Sequence, residues 1–126
     1  MKVTVLMPIY NAERFLHESI DSLLAQTSNN WKLICIDDGS TDSSKAIVEE
    51  YCKKDSRIKL ICQENAGPAV ARARAIEIVD TEYVSILDSD DAWTPEKLEK
   101  QIELQKRTNA DLLFTGSAFM DSDGQP

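Results

Sequence analysis

Histidine occurs once in the 126 residues and cysteine three times. His17 has no second histidine to pair with and no cysteine close to it in sequence, which excludes a His/Cys metal site and leaves it a structural or exposed role. Cys35, Cys52 and Cys62 are odd in number and lack C-x-x-C spacing. Cys35 and Cys62 fall within apolar runs, so both are expected as reduced core thiols in a cytosolic setting. Four glycines and four prolines are too few for a flexible linker or a low-complexity tract. No stretch approaches the roughly twenty consecutive apolar residues of a membrane helix. The run over residues 3–9 is too short for a signal core and meets the polar pair Tyr10-Asn11 directly, so it reads as a strand. Basic residues are outnumbered, 14 against 22 acidic, and a net charge of -8 argues against nucleic acid or an anionic membrane as a general partner. A divalent cation matches that balance better.

What is present is a chain with 42% hydrophobic residues, enough for one domain that buries roughly two-thirds of its unfolded surface. Short β-branched apolar runs alternate with longer segments whose apolar residues recur at helical spacing, the pattern of an α/β fold with a parallel sheet and crossover helices. Strands are expected over residues 3–7, 31–36, 57–62, 83–87 and 111–114. Phe15, Leu16, Ile20, Leu23 and Leu24 share one helix face; Ala46, Ile47 and Tyr51 share another; Leu98 and Ile102 share a third, with Gln105 at its edge. Helix starts are signalled by Asn11, by Ser40-Thr41-Asp42, by Asn65-Ala66-Gly67-Pro68, and by Thr94-Pro95-Glu96 with Pro95 at the first helical position. After Phe114 the sequence runs into a turn-like Asp121-Ser122-Asp123-Gly124 with no closing helix. Residues 1–126 are therefore expected to be the first part of a larger domain.

In an open parallel sheet, ligands bind outside the carboxyl ends of the strands. The first strand delivers Pro8, Tyr10 and Asn11; the second Asp37, Asp38 and Gly39; the third Glu64, Asn65 and Gly67; the fourth Asp88, Asp90 and Asp91. On extended backbone Asp88 and Asp90 project to one side and suit a hard cation such as magnesium or manganese. The competing reading is a solvated acidic turn, against which stands the mutual repulsion of three carboxylates with no cation. In Asp37-Asp38-Gly39-Ser40-Thr41-Asp42 the later residues suit helix capping, while a carboxylate at Asp38 can accept from the imide N–H of a base such as uracil. Arg72 and Arg74 can either meet a diphosphate or pair with Glu77 or Asp80. Trp93 either packs beneath the acidic turn or stacks on a ligand, and Tyr10 either stacks on a base or forms an apolar lid.

The strings V-T-V-L-M-P-I-Y-N, I-D-D-G-S-T-D, E-N-A-G-P-A-V-A-R-A-R and L-D-S-D-D span nearly the whole chain. Together they resemble the family 2 glycosyltransferases of the GT-A, nucleotide-diphospho-sugar transferase fold. The resemblance implies a Rossmann-like, mostly parallel sheet with helices on both faces. It implies an inverting transferase with a nucleotide-sugar donor, leaning to UDP, and Mn2+ or Mg2+. Pro8, Tyr10, Asp37 and Asp38 then fall on the nucleotide, Arg72 near the diphosphate, Asp88 and Ser89 on the nucleotide side, and Asp90 with Asp88 on the metal. It further implies a carbohydrate or lipid-linked acceptor, cell-surface polysaccharide or glycan synthesis, and a cytoplasmic site that can include the inner face of the membrane. A homodimer would cover apolar surface left exposed. Where the family often has asparagine after this arginine, the chain has Ala73 and then Arg74. The acceptor site and catalytic base are expected beyond residue 126, so this piece should bind donor without efficient transfer.

Three other classes compete for these residues. An aspartate-nucleophile phosphatase carries D-x-D after its first strand, whereas here that strand ends in Pro8-Ile9-Tyr10-Asn11. A magnesium-dependent phospho-acceptor signalling domain wants a strand-end lysine, and Thr115-Gly116-Ser117 supplies none. A nucleotide-binding module without chemistry of its own is the third.

Overall fold

The structure, a computed structural model, describes residues 2–123 and Gln125. Four strands alternate with four helices: β1 (Val3–Ile9), α1 (Leu16–Leu24), β2 (Trp31–Asp37), α2 (Ser44–Lys54), β3 (Ile58–Cys62), α3 (Pro68–Glu77), β4 (Tyr83–Ile86) and α4 (Lys97–Thr108). The sheet has the order β3-β2-β1-β4, and every pair is parallel. β1 and β2 lie in the middle and read as almost continuous apolar runs because both of their faces are covered.

Alternation along the strands sorts the core into two layers. Val5, Met7 and Ile9 of β1, with Leu33 and Cys35 of β2, pack against Leu16, Ile20 and Leu23 of α1, Val48 of α2 and Leu98 of α4. Leu6, Ile34 and Ile36 face the other way, against Ala71 and Ala75 of α3. Helices thus cover both faces, as expected. Ala71 and Ala75 stand one turn apart, and their small side chains let α3 lie directly on the sheet.

The chain builds outward from β1 through β2 to β3, and α3 then carries it back to β4 on the opposite side of β1. The strand order reverses between β1 and β4, which is where a crevice opens in such sheets. Their ladder runs from Val3–Tyr83 to Leu6–Ile86 and closes with the Leu87 amide donating to the Leu6 carbonyl. Ile9 turns its carbonyl toward β2, accepting from Asp38, so by alternation Pro8 addresses the β4 side. Proline has no N–H to continue that ladder, and β1 and β4 part there.

Several expectations are corrected. Residues 111–114 form no strand, and no described strand pairs with the outer edge of β4. Leu112 and Phe114 are 70% and 85% exposed; the run has strand composition but neither a partner ladder nor a covering layer. Pro95 lies in a turn and α4 begins at Lys97, because the Pro95 carbonyl accepts from Thr27 instead of starting the helix. Asn11 does not cap α1, which starts at Leu16. Cys62 is exposed because it ends β3, the edge strand, whereas Cys35 is buried and its thiol pKa is pushed up by that burial. The turn expected at 121–124 is supported at Asp121, whose Oδ1 accepts from the Asp123 and Gln125 amides; Gly124 lies outside the described residues.

If close approach of α3 fixes this layer, Ala75→Leu should destabilise the domain by about 1–3 kcal/mol through overpacking. Urea denaturation measures it, and an unchanged midpoint would show that α3 has room to spare.

Candidate functional site at the carboxyl ends of the strands

The loops after β1 and β2 interlock. Asn11 adopts a left-handed conformation, φ 46°, and its Oδ1 accepts from the Thr41 amide at 2.8 Å and the Asp42 amide at 3.3 Å. Ser40 Oγ and Ser44 Oγ accept from the Asn11 and Ala12 amides. Glu13 and Asp42 exchange bonds with the opposite loop, since Glu13 Oε2 accepts from Ser43 and Asp42 Oδ2 accepts from Glu13. Asp42 Oδ1 also takes the Ser44 amide two residues on, an Asx-type turn that leads into α2, whose N-cap residue Ser43 makes no side-chain cap bond. Tyr10 stands on this rim with half its surface exposed, and Pro8 is half-buried beneath it.

Asp37 and Asp38 are both 3% exposed. Asp38 Oδ1 accepts from Gln63 Nε2 and the Ala66 amide, each at 2.8 Å, and Oδ2 accepts from the Gly67 amide at 2.9 Å. The Gln63 bond, with those from Ala66 and Gly67, outweighs burial and holds the carboxyl pKa below its ordinary value. Asp37 Oδ2 accepts from the Ser40 amide, while its Oδ1 is buried with no described partner. Gly39, φ 80°, makes the packing feasible: a Cβ there would meet the Asn65 backbone nitrogen at 3.0 Å.

Across the switch point, Arg72 Nη2 donates to Asp88 Oδ1 at 2.9 Å. Glu77 and Asp80 are not its partners, since Asp80 pairs with Lys32; Arg74 is exposed. Residues 88–91 are not extended. The Asp91 amide donates to the Asp88 carbonyl at 3.0 Å, closing a turn with Ser89 and Asp90 at its centre. The same-side argument for Asp88 and Asp90 therefore fails, because β4 ends at Ile86 and the two carboxylates leave a turn. Asp90 and Asp91 are exposed, and burial followed by the charges of Asp90 and Asp88 pushes the Asp91 carboxyl pKa up.

The turn rests on a polar stripe that runs along α1, beside its apolar residues, and into the segment just after it. Ser19 Oγ donates to the Ser89 and Asp91 carbonyls, Ser22 Oγ accepts from the Trp93 amide, and Gln26 Nε2 donates to Thr94 while its Oε1 accepts from Leu98. The available signal was polar residues at 19, 22 and 26, which follow helical spacing beside Ile20 and Leu23. Trp93 packs against the core with the Lys97 ammonium over its ring at 4.1 Å. His17 shares a hydrogen bond with Tyr51 on the helix surface.

Among the described residues no three His, Cys, Asp or Glu side chains form a metal-binding group. The donor set still fits a magnesium-like ion that takes one or two carboxylates and completes its shell with substrate phosphates and water. Asp90 offers a solvent-facing hard oxygen, and Asp88 is shared with Arg72.

Fold and rim together define a doubly wound α/β domain whose strand order reverses between β1 and β4. Residues 4–125 match the family model Glycosyl transferase family 2, and the chain belongs to that family. It is 42% identical over 125 residues to TuaG of Bacillus subtilis (strain 168), whose name assigns it provisionally to teichuronic acid biosynthesis; the match covers 98% of this chain and 50% of that protein. It is 42% identical over 113 residues to the Escherichia coli UDP-Glc:alpha-D-GlcNAc-diphosphoundecaprenol beta-1,3-glucosyltransferase WfgD, covering 89% of this chain and 44% of that one. Staphylococcus aureus TarS 1-349, solved in complex with UDP, superposes with a TM-score of 0.82 at 31% identity over 88% of this chain and 34% of that chain. The chain spans about half the length of the curated relatives it matches.

Asp38→Asn should cost about 1.5–3 kcal/mol at neutral pH, because an amide NH2 must then face a backbone N–H. The depressed pKa gives the sign. The carboxylate's contribution is complete above the unfolded value near 4 and is lost as pH falls through the lower native value. Denaturation curves of the two proteins should therefore converge in acid, and a gap that stays constant with pH would assign the effect to something other than the charge.

Proposed function

We propose that this chain forms the donor-binding part of a glycosyltransferase that transfers a sugar from a nucleoside diphosphate, with inversion, to an acceptor hydroxyl. The observation that carries the reading is the meeting of Arg72 with Asp88 at the β1/β4 switch point, beside the exposed Asp90. On the rim the exposed ring of Tyr10 would stack on the base, near the strand-end residues Pro8, Asp37 and Asp38. Three of roughly four lone pairs on the Asp38 carboxylate are filled, which leaves one for an imide donor beside the unpartnered Asp37 Oδ1. Ser89 and Asp88 would face the ribose, and Arg72 would exchange Asp88 for the diphosphate, where a planar guanidinium can bind in two-pronged fashion.

Asp90, with Asp88, would hold Mn2+ or Mg2+, which when bound offsets the charge accumulating on the departing nucleoside diphosphate. The acceptor hydroxyl attacks the anomeric carbon as the bond to the phosphate oxygen breaks, and a base outside the residues assigned here takes its proton. A uridine donor is favoured by the name of WfgD, which specifies UDP-Glc, and by TarS, solved with UDP and with UDP-GlcNAc. A lipid-linked acceptor is favoured by the name of WfgD, and a role in cell-surface polysaccharide synthesis by the teichuronic acid in the name of TuaG. No described helix is long and apolar enough to cross a membrane.

Calorimetric titration of UDP should show binding that strengthens with Mn2+, and Asp90→Ala should remove that gain, by about tenfold or more. UDP binding indifferent to both metal and Asp90→Ala, or no binding at all, would sink the assignment. Arg72→Ala should weaken UDP while leaving uridine affinity unchanged, and equal losses for the two ligands would place Arg72 away from the phosphates.

A further inference from the structure

We infer that Ser19 of α1 is a positioning residue that sets the direction of the Asp90 carboxylate by locking the turn that carries it. The inference rests on the donor-site reading above. Ser19 is 1% exposed and lies on the face of α1 that otherwise presents Leu16, Ile20 and Leu23 to the core. A buried hydroxyl there is unfavourable unless it is hydrogen-bonded. Its Oγ lies 2.9 Å from the Ser89 carbonyl and within reach of the Asp91 carbonyl, so a single O–H serves the two acceptors that bracket Asp90.

The identity of those carbonyls matters. In the turn from Asp88 to Asp91, the peptide joining Ser89 to Asp90 is the central one, and its carbonyl belongs to Ser89. Type I and type II turns differ by a flip of that peptide, and the flipped form demands positive φ at the third residue, which is Asp90. Among the described residues only Asn11 and Asn109 combine a side chain with positive φ, so Asp90 sits in the unflipped form. Ser19 grips the oxygen that would have to swing away. The flip would rotate the Cα–Cβ bond of Asp90 relative to Arg72 and Asp88, and with it the oxygens offered to a cation.

The other polar residues of the stripe act elsewhere. Ser22 meets the Trp93 amide, and Gln26 meets Thr94 and caps α4 at Leu98, so both secure the far end of the loop. Gln26→Ala therefore serves as a control that loosens the loop without freeing the central peptide.

Free Mn2+ is measured by electron paramagnetic resonance in the presence of saturating UDP, for wild type, Ser19→Ala, Gln26→Ala and Asp90→Ala. Groups that orient a metal ligand typically account for about 10–100-fold in metal affinity, and Ser19→Ala should fall in that range. Its affinity for UDP without metal should stay at the wild-type level, and Gln26→Ala should keep wild-type Mn2+ affinity despite a lower melting temperature. If Ser19→Ala does not fold, Ser19→Cys, similar in size but a weak donor, reads the same quantity. Unchanged Mn2+ affinity in the serine variant, with Asp90→Ala abolishing binding, overturns the inference and spares the donor-site reading. Equal losses in Ser19→Ala and Gln26→Ala also overturn it, by reducing Ser19 to general support of the loop. Mn2+ binding that survives Asp90→Ala, or is absent from the wild type, overturns both.

Discussion

The rim of this domain depends on one buried carboxylate. Asp38 stands just past β2, and two other segments, the end of β1 and the loop between β3 and α3, are fastened to it: its amide donates to Ile9 at the end of β1, its carbonyl accepts from the Asn65 side chain, and its carboxylate takes Gln63, Ala66 and Gly67. Gly67 is the residue from which α3 starts. α3 is then seated on the sheet by Ala71, and the next residue, Arg72, arrives at Asp88. A contact at the second strand thereby determines where the guanidinium meets the fourth. A carboxylate buried with three N–H donors is a sound anchor, because the fixed dipoles replace the water it has lost.

Charge sets the second constraint. Asp88, Asp90 and Asp91 share one turn, and the upward shift at Asp91 registers their repulsion in a partly desolvated place. Arg72 is the cation that the structure sets against them. A diphosphate arriving here would compete with Asp88 for that guanidinium, and success would leave Asp88 without a counter-charge. A divalent ion would, in the proposed function, resolve the conflict, held by Asp88 and Asp90 while Arg72 meets the phosphates. In the proposed function, metal and donor are thus each other's condition for binding at this rim, as linkage between two ligands at one charge cluster requires.

Local periodicity made the elements legible. β1, β2 and β4 were expected within two residues of their observed ends, and the expected stripes of α1 and α4 pack on the core through Leu16, Ile20, Leu23 and Leu98. On α2 the buried apolar residue is Val48, Ile47 and Tyr51 are partly buried, and Ala46, expected on the packed face, is exposed. What escaped depends on partners distant in sequence. Asn11 has the composition of a helix cap, yet its oxygen is taken by Thr41 and Asp42, thirty and thirty-one positions away. Asp88 and Asp90 follow a strand, but extension ends at Ile86 and a turn intervenes, which no two-residue spacing can signal. Residues 111–114 have strand composition and no neighbouring ladder, and composition alone does not create one. The positions of Asp37 and Asp38 on the rim followed from their place at a strand end, whereas the contacts of Ser19 stayed hidden because a serine between apolar neighbours looks like an incidental core substitution.

The two sides of the crevice are built to different tolerances. On the side of β1 and β2, side chains and backbone alike are engaged: Asn11, Ser40, Asp42 and Asp38 all spend their oxygens on neighbouring loops. On the β4 side the backbone is pinned by Ser19, Ser22 and Gln26, while the carboxylates of Asp90 and Asp91 face solvent. A rim whose side chains are held and a held backbone beneath exposed carboxylates are different solutions to different tasks. In the proposed function the first would discriminate among bases by the fixed placement of the Asp37 and Asp38 oxygens. The second would keep ligand oxygens free to reorganise around an ion whose other partners come with the substrate, without surrendering the direction from which they approach.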